Sequence, residues 1–327
     1  MKDTETVGEG ERKMNFTGID IGGTKCAVVT GNEAGICEKI KFETTTYDQT
    51  IDRICDAVSA LGTGEAIGIS CGGPLDSRHG LILSPPNLPG WDNVPVTATL
   101  EEKFGVPAGL QNDANACALA EWKYGAGRNC DNMIFLTFGT GMGAGLILNG
   151  RLYSGTSDAA GEIGHMRMER FGPSGYGKAG SFEGFCSGGG IAKLGRMYAE
   201  AMFQRGSAPS YCKCPNELEK ITAKSIAEAA IGGDADAAYV YDTSAEMLGA
   251  ALAILTDLLN PQRIVIGSIY ARCRKLFQEK MIKTLKAEAL PQSLTVCEVV
   301  PAELGEEIGD YAALCVAQDT YERRKKL

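Results

Sequence analysis

Two glycine-rich turns and a handful of acidic side chains carry the groups in this sequence that could do chemistry. The first turn lies in Phe16 to Val29, FTGIDIGGTKCAVV, with Asp20 at its entrance, Gly22 and Gly23 within it, and Thr24 and Lys25 at its exit. The second lies in Met133 to Leu148, MIFLTFGTGMGAGLIL, and turns at Gly139, Thr140 and Gly141. The first lacks the GxxxxGK spacing of a P-loop, and the alternating glycines of the second do not fit a dinucleotide fingerprint. Each reads as apolar strand, turn, apolar strand. Each is therefore expected to be a hairpin whose turn offers backbone N–H groups to an anion. A carboxylate beside such a nest makes sense if Mg²⁺ links it to a phosphate, which makes Asp20 a candidate metal ligand. The alternative is an Asx-turn in which Asp20 only satisfies the backbone.

Asn112-Asp113 falls between a strand end and a helix start. Asp113 could take the proton from an attacking hydroxyl, a role that needs hydrogen-bond reach. It could equally be a helix N-cap. Glu162, His165 (one of two histidines) and Glu183 form the next cluster. Two carboxylates and an imidazole suit a substrate with several hydroxyls; the alternative is solvated loop charge. The stretch SPPNLPGW, Ser84 to Trp91, is stiffened by three prolines and presents Asn87 and Trp91 as a recognition element, unless Trp91 packs into the core. Cys212-x-Cys214 has no matching second pair and is weak as a metal site.

The elements that must position these groups follow from apolar spacing. Strands are expected at 16–21, 25–30, 36–45, 66–71, 107–111, 263–266 and 294–299, and the second hairpin at 133–148. Helices are expected at 50–61, 96–104, 115–124, 188–205, 222–231, 235–259, within 271–289, and from 304 to about 318. Residues 149–186 hold few apolar runs and read as a long loop region, unusual unless it binds something. The chain has 327 residues, enough for two domains with ample cores. Glycine is the outlier at 42 residues and is expected at tight turns and close backbone–ligand approaches. A net charge of −9 argues against nonspecific nucleic-acid binding. No apolar run approaches the length of a membrane span. The polar stretch 1–14 reads as a disordered tail without an export signal, so the twelve cysteines are expected to be reduced thiols in a cytoplasmic protein.

Together these pieces resemble the ROK family of sugar kinases, the bacterial glucokinases and their relatives, within the actin-like ATPase superfamily. The motifs that carry the resemblance are DIGGTK at 20–25, NLPGW at 87–91, NDAN at 112–115, FGTGMGAG at 138–145 and GEIGH at 161–165, and it spans about residues 16–318. It implies a two-domain α/β fold of the ribonuclease H-like kind with an active-site cleft between the lobes. One lobe would be 15–112 completed by a C-terminal helix at 304–320, the other 113–303. It implies ATP-dependent phosphorylation of a hexose, glucose at the 6-hydroxyl first, with an N-acetylhexosamine (N-acetylmannosamine or N-acetylglucosamine) or allose as alternatives. Asp20 and Gly22 to Lys25 would serve the ATP phosphates and Mg²⁺, Gly139, Thr140 and Gly141 a second phosphate loop, and Gly267 and Ser268 the adenosine. Asp113 would be the catalytic base; Gly73, Asn87, Asn112, Glu162, His165 and Glu183 would join it in holding the sugar. Closure of the lobes would exclude water, and a homodimer is expected.

Many members carry a structural zinc motif, CxCGxxGCxE. The matching segment here keeps Gly177, Gly180 and Glu183 but has Ser174, Tyr176 and Ser181 in place of the thiolates. No zinc is therefore expected, with the loop held by packing and the sugar preference open to change. Family regulators carry a DNA-binding segment before the first strand. Only a short polar tail stands there in this sequence, so no nucleic-acid partner is expected. A catalytically silent sugar sensor is the alternative from another class; Asp113 and the two turns argue against it.

Overall fold

The computed structural model describes residues 14–326. The tail expected at 1–14 lies, but for Met14, outside them. The described chain divides into two compact units, residues up to Asn112 joined by those from Gly309 onward, and Asp113–Ile308.

In the first unit, β1 (Phe16–Ile21), β2 (Lys25–Asn32) and β3 (Gly35–Glu43) form an antiparallel meander. Helix α1 (Tyr47–Leu61) buries Ile51, Ile54, Cys55 and Val58, one face at helical spacing. Strand β4 (Ile67–Cys71) follows; then come the short pair β5 (Leu75–Asp76) and β6 (Leu81–Ile82), helix α2 (Val96–Phe104) and strand β7 (Ala108–Asn112). β4 and β7 add parallel to β1, giving the order β3-β2-β1-β4-β7. β4 is buried along its whole length, as a central parallel strand requires.

The second unit repeats the plan. After α3 (Asp113–Lys123), strands β8 (Met133–Phe138), β9 (Met142–Ile147) and β10 (Leu152–Tyr153) form the meander. The hairpin β11 (Ser174–Gly175) and β12 (Lys178–Ala179) comes next. It is followed by helices α4 (Phe182–Phe185), α5 (Gly188–Gln204), α6 (Ala223–Ile231) and α7 (Ala235–Leu259). Strand β13 (Arg263–Ile266), helices α8 (Ile269–Glu288) and α9 (Pro291–Leu294), and strand β14 (Glu298–Pro301) complete it. The order β10-β9-β8-β13-β14 again joins an antiparallel meander to two parallel strands. Its core gathers Phe138, Tyr241, Tyr270 and Phe277, all essentially buried and in ring contact.

Helix α10 (Ile308–Lys325) returns to the first unit and lies on its sheet along a row of glycines. Gly18, Gly68 and Gly109 stand abreast on β1, β4 and β7. A Cβ on Gly18 would lie 2.5 Å from the Leu314 nitrogen, one on Gly68 2.1 Å from the Ala317 nitrogen, and one on Gly109 1.9 Å from the Thr320 hydroxyl. These glycines are thus neither turn formers nor ligand contacts. Gly18 and Gly68 let a helix backbone touch a sheet backbone, and Gly109 makes room for the Thr320 side chain.

Several local expectations change. Residues 149–186 contain β10, a 3₁₀ turn at Ile163–His165, the β11–β12 hairpin and α4. Their two- to four-residue elements are too short for any periodicity to show. The strand expected at 294–299 lies at Glu298–Pro301, because Pro291 starts a helical turn ending at Leu294. The last helix begins at Ile308, after a 3₁₀ turn at Gly305–Glu307, and runs on to Lys325. Trp91 is fully buried and meets Tyr47 edge-on at 5.2 Å, so it anchors its loop and presents nothing.

Candidate functional site

In the first unit the predicted residues gather at one edge of the sheet. Because β1, β4 and β7 run parallel, Ile21, Cys71 and Asn112 lie abreast at their C-terminal ends. Gly22 and Gly72-Gly73 follow the first two directly, the place where open α/β sheets bind ligands, and Asn112 is followed by Asp113, the first residue of the second unit. Asp20 sits one residue before this edge. The Gly22 N–H closes the turn on the Lys25 carbonyl at 3.1 Å, and the Thr44 hydroxyl donates to the Gly22 carbonyl at 2.6 Å. A Cβ on Gly23 would lie 2.6 Å from the Asn87 carbonyl oxygen, and one on Gly72 would lie 3.5 Å from the Asn87 amide nitrogen. The first turn, the end of β4 and Asn87 are therefore packed together. Thr24 and Lys25 are exposed beside them.

The Asp20 carboxylate meets the start of α10, where a Cβ on Gly309 would stand 3.0 Å from its oxygen. The adjoining Lys39 ammonium pairs with Asp310. Its pKa is raised by Asp310 and, at longer range, by Asp20, against the lowering effect of desolvation, the largest single cause. The bare α-carbon of Gly309 lets the start of α10 come close to this carboxylate, a hard oxygen donor. Mg²⁺ takes one or two carboxylates and completes its shell with waters and phosphate oxygens, so Asp20 fits such an ion. Among the described residues no group of three or more His, Cys, Asp or Glu could hold a metal by protein ligands alone. At the lost zinc motif the residues do not fit a metal: the Ser181 hydroxyl caps α4, accepting from Gly184 N–H at 3.1 Å and Gly175 N–H at 3.2 Å.

In the second unit the other predicted residues converge on the second turn. The Gly139 N–H closes it on the Gly141 carbonyl. Glu183 accepts the Met142 N–H at 3.1 Å, and a Cβ on Gly141 would lie 2.8 Å from its carboxylate. Gly164, inside the GEIGH segment, is crowded by the Met142 carbonyl and by Glu183. One carboxylate thus ties the turn to the segment bearing Glu162 and His165, both exposed. Gly267 donates to the Leu136 carbonyl at the end of β13, and Ser268 lies within 4 Å of where a Gly139 Cβ would be.

A further element stands beside the second turn that its motif does not announce. The N-terminus of α5 abuts the turn, with Gly188 N–H donating to the Gly139 carbonyl at 2.8 Å and Gly189 close to the Thr140 carbonyl. The positive end of a 17-residue helix so placed favours an anion there. Its signal was Ser187-Gly188-Gly189-Gly190, an N-cap followed by residues small enough for close approach.

Asp113 opens α3, and its carboxylate accepts the N–H of Ala114 at 2.8 Å. Ala114 packs on Gly143 and Gly145 of β9. The Asp113 side chain reaches solvent, yet the protein mass around it disfavours its charge. Desolvation therefore raises its pKa above the ordinary carboxylate value, with the Ala114 N–H pulling the other way. A base must be ionised to accept a proton. Activity that depends on Asp113 should therefore rise with pH through a pKa above that of a free aspartate. A kcat/KM–pH profile checks this, and an acid limb at or below the free value would contradict it.

The whole of this arrangement lies within one recognisable family, whose ROK model matches residues 16–320. The chain belongs to the ROK family. It is 30% identical over 315 residues to a glucokinase of Thermotoga maritima, covering 94% of this chain and 98% of that one. An N-acetylmannosamine kinase of Escherichia coli O1:K1 / APEC is 32% identical over 260 residues, 78% of this chain and 82% of that one. Among solved structures, a ROK family glucokinase from Streptomyces griseus in complex with glucose and AMPPNP matches with 30% identity and a TM-score of 0.71. It covers 93% of this chain and 99% of that one. The two sheets of like connectivity are those of the actin-like ATPase fold, as the ROK resemblance implied. No helix among the described residues is long and apolar enough to cross a membrane.

Proposed function

We propose that this ROK protein is an ATP-dependent hexose kinase that phosphorylates glucose at the 6-hydroxyl. The observation that carries the reading is the end-to-end likeness to glucokinases, one of them solved with glucose and AMPPNP, in a chain that has Asp113 at the edge where β7 gives way to α3. In this reading Asp113 accepts the proton of the attacking hydroxyl, which moves in line toward the γ-phosphate. Asn112, Gly73, Asn87, Glu162, His165 and Glu183 orient the sugar. The two turns, Gly22 to Lys25 and Gly139 to Gly141, take the phosphates with help from the α5 N-terminus, and Gly267-Ser268 lies toward the adenosine. Bound Mg²⁺, held at Asp20, would neutralise charge on the phosphates. Most of the rate then comes from positioning and charge stabilisation. The free thiols, several of them buried, suit the cytoplasm, where the ATP is. Tyr153 and Leu258, exposed in the second unit, suit a homodimer, which light scattering tests.

The likeness to an N-acetylmannosamine kinase supports a second reading, in which the acceptor is an N-acetylhexosamine. A kcat/KM panel of glucose, mannose, allose, N-acetylglucosamine and N-acetylmannosamine with ATP separates the two. Glucose is expected to lead by at least about tenfold, the net worth of roughly one hydrogen bond. A lead for an N-acetylhexosamine would overturn the first reading in favour of the second.

A further inference from the structure

The strongest conflict between sequence and conformation lies at Tyr176. The β11–β12 hairpin pairs Ser174 with Ala179 and Gly175 with Lys178, so its loop is the two residues Tyr176 and Gly177. Both have positive φ, 44° and 77°. That is the mark of a type I′ turn, whose first position favours Asn, Asp or Gly. A large aromatic residue there is strained. Packing does not repay the strain, because Tyr176 is 79% exposed.

What the conformation achieves is a ring contact. The Tyr176 and His165 rings meet at 5.3 Å, nearly perpendicular at 85°. The surroundings hold the hairpin in place. The Lys178 ammonium donates to the His165 carbonyl at 2.5 Å, and Lys193 donates to the Ser174 carbonyl at 2.7 Å. Gly175 N–H donates to the Ser181 hydroxyl, and Met168 and Glu169 N–H both donate to the Gly180 carbonyl. Local strain kept by such lacing points to function more than to stability.

We propose that Tyr176 is a sugar-recognition residue: it sets the orientation of the His165 imidazole and presents its open face to the C–H side of the substrate's pyranose ring. Aromatic faces carry negative potential and attract the weakly positive C–H groups of a sugar, while the ring is rigid and loses little freedom on binding. His165 then meets the hydroxyl edge of the same sugar. The side chain that stands where other members of the family keep a thiolate thus belongs to the substrate site. This deepens the kinase reading and rests on it.

Three variants test the proposal. Tyr176→Asn relieves the turn, so its melting temperature should stay level or rise by about 2 °C. Its KM for the sugar should rise about tenfold, with KM for ATP unchanged. Tyr176→Phe keeps the ring and should hold the sugar KM within about twofold, and Tyr176→Ala should behave as Asn does. Glucose binding without ATP, read by calorimetry, should weaken in the same order, which separates this proposal from the kinase reading itself. Wild type that binds glucose but releases no ADP sinks the kinase reading alone. Unchanged sugar affinity in Tyr176→Asn would overturn the role of Tyr176, as would a loss that tracks a lowered melting temperature or an equal loss in Tyr176→Phe.

Discussion

Asp113→Asn is expected to lower kcat by about a thousandfold, within the roughly 10²- to 10⁴-fold that a positioned general base supplies. The amide keeps the shape of the carboxylate and can still accept the Ala114 N–H through its oxygen, so the start of α3 should not move. Sugar and ATP affinities should therefore change little. Stability gives a second, opposite signature. The folded state raises the pKa of Asp113, so its ionised form is disfavoured by folding. That penalty is present at neutral pH and disappears as pH falls through the raised pKa, where the group is protonated. Asn carries no charge at any pH. The variant should melt no lower than wild type at pH 7 and should lose any advantage in acid. Differential scanning calorimetry at two pH values, with turnover measured alongside, reads both effects. Retained turnover within about tenfold would remove Asp113 as the base.

Gly68→Val should be the most damaging single substitution in the first unit. A Cβ at this position would lie 2.1 Å from the Ala317 nitrogen, 2.4 Å from the Ala313 oxygen and 2.7 Å from the Val316 carbonyl carbon, all backbone atoms that cannot rotate away. β4 is central and buried, so the strand cannot yield either. Only displacement of α10 relieves the clash, and α10 contributes Leu314 and Ala317 to a cluster with Phe16 and Val29. A loss of about 4 kcal/mol or more is expected, the range reserved for severe overpacking or cavity formation. Gly206→Ala serves as the contrast. Its φ is 75° with nothing within 4 Å of an added Cβ, so only the conformational penalty of about 1 kcal/mol should appear. Urea denaturation of both variants gives the comparison, and equal losses would mean that α10 is not packed on the glycine row.

The glycine row shows where the sequence stopped being readable. FTGID, AIGIS and PAGLQ each hold a glycine within an apolar run, and each reads as a strand from its apolar residues alone. Their common purpose needs three strands in register and a helix from more than two hundred residues later. Features with local causes were plain. The β1–β2 and β8–β9 hairpins announce themselves by apolar runs on either side of glycines. The range 235–259 reads as one helix from its apolar spacing and the Pro261 beyond it, and the structure adds an Asp234 cap at its start and Asn260 in the left-handed region at its end. Among site residues, the types at Asp20, Asp113 and the two turns were legible because one loop carries each. The convergence of Gly188 on Gly139, and of Glu183 on Met142, was not, since those pairs are more than forty residues apart. For Trp91 the sequence leaves presentation and core packing both open, because a proline-rich loop looks the same from outside whichever way its aromatic residue turns, and the structure decides for the core.

The central claim is that phosphate moves from ATP to the 6-oxygen of a hexose. Incubation with ATP, Mg²⁺ and glucose, followed by ³¹P and ¹H NMR of the products, tests it directly. Glucose 6-phosphate and ADP in equal amounts are the predicted result. No ADP above the sugar-free background, with glucose and with every other hexose and N-acetylhexosamine, would contradict the account and leave the chain a sugar-binding protein without catalysis.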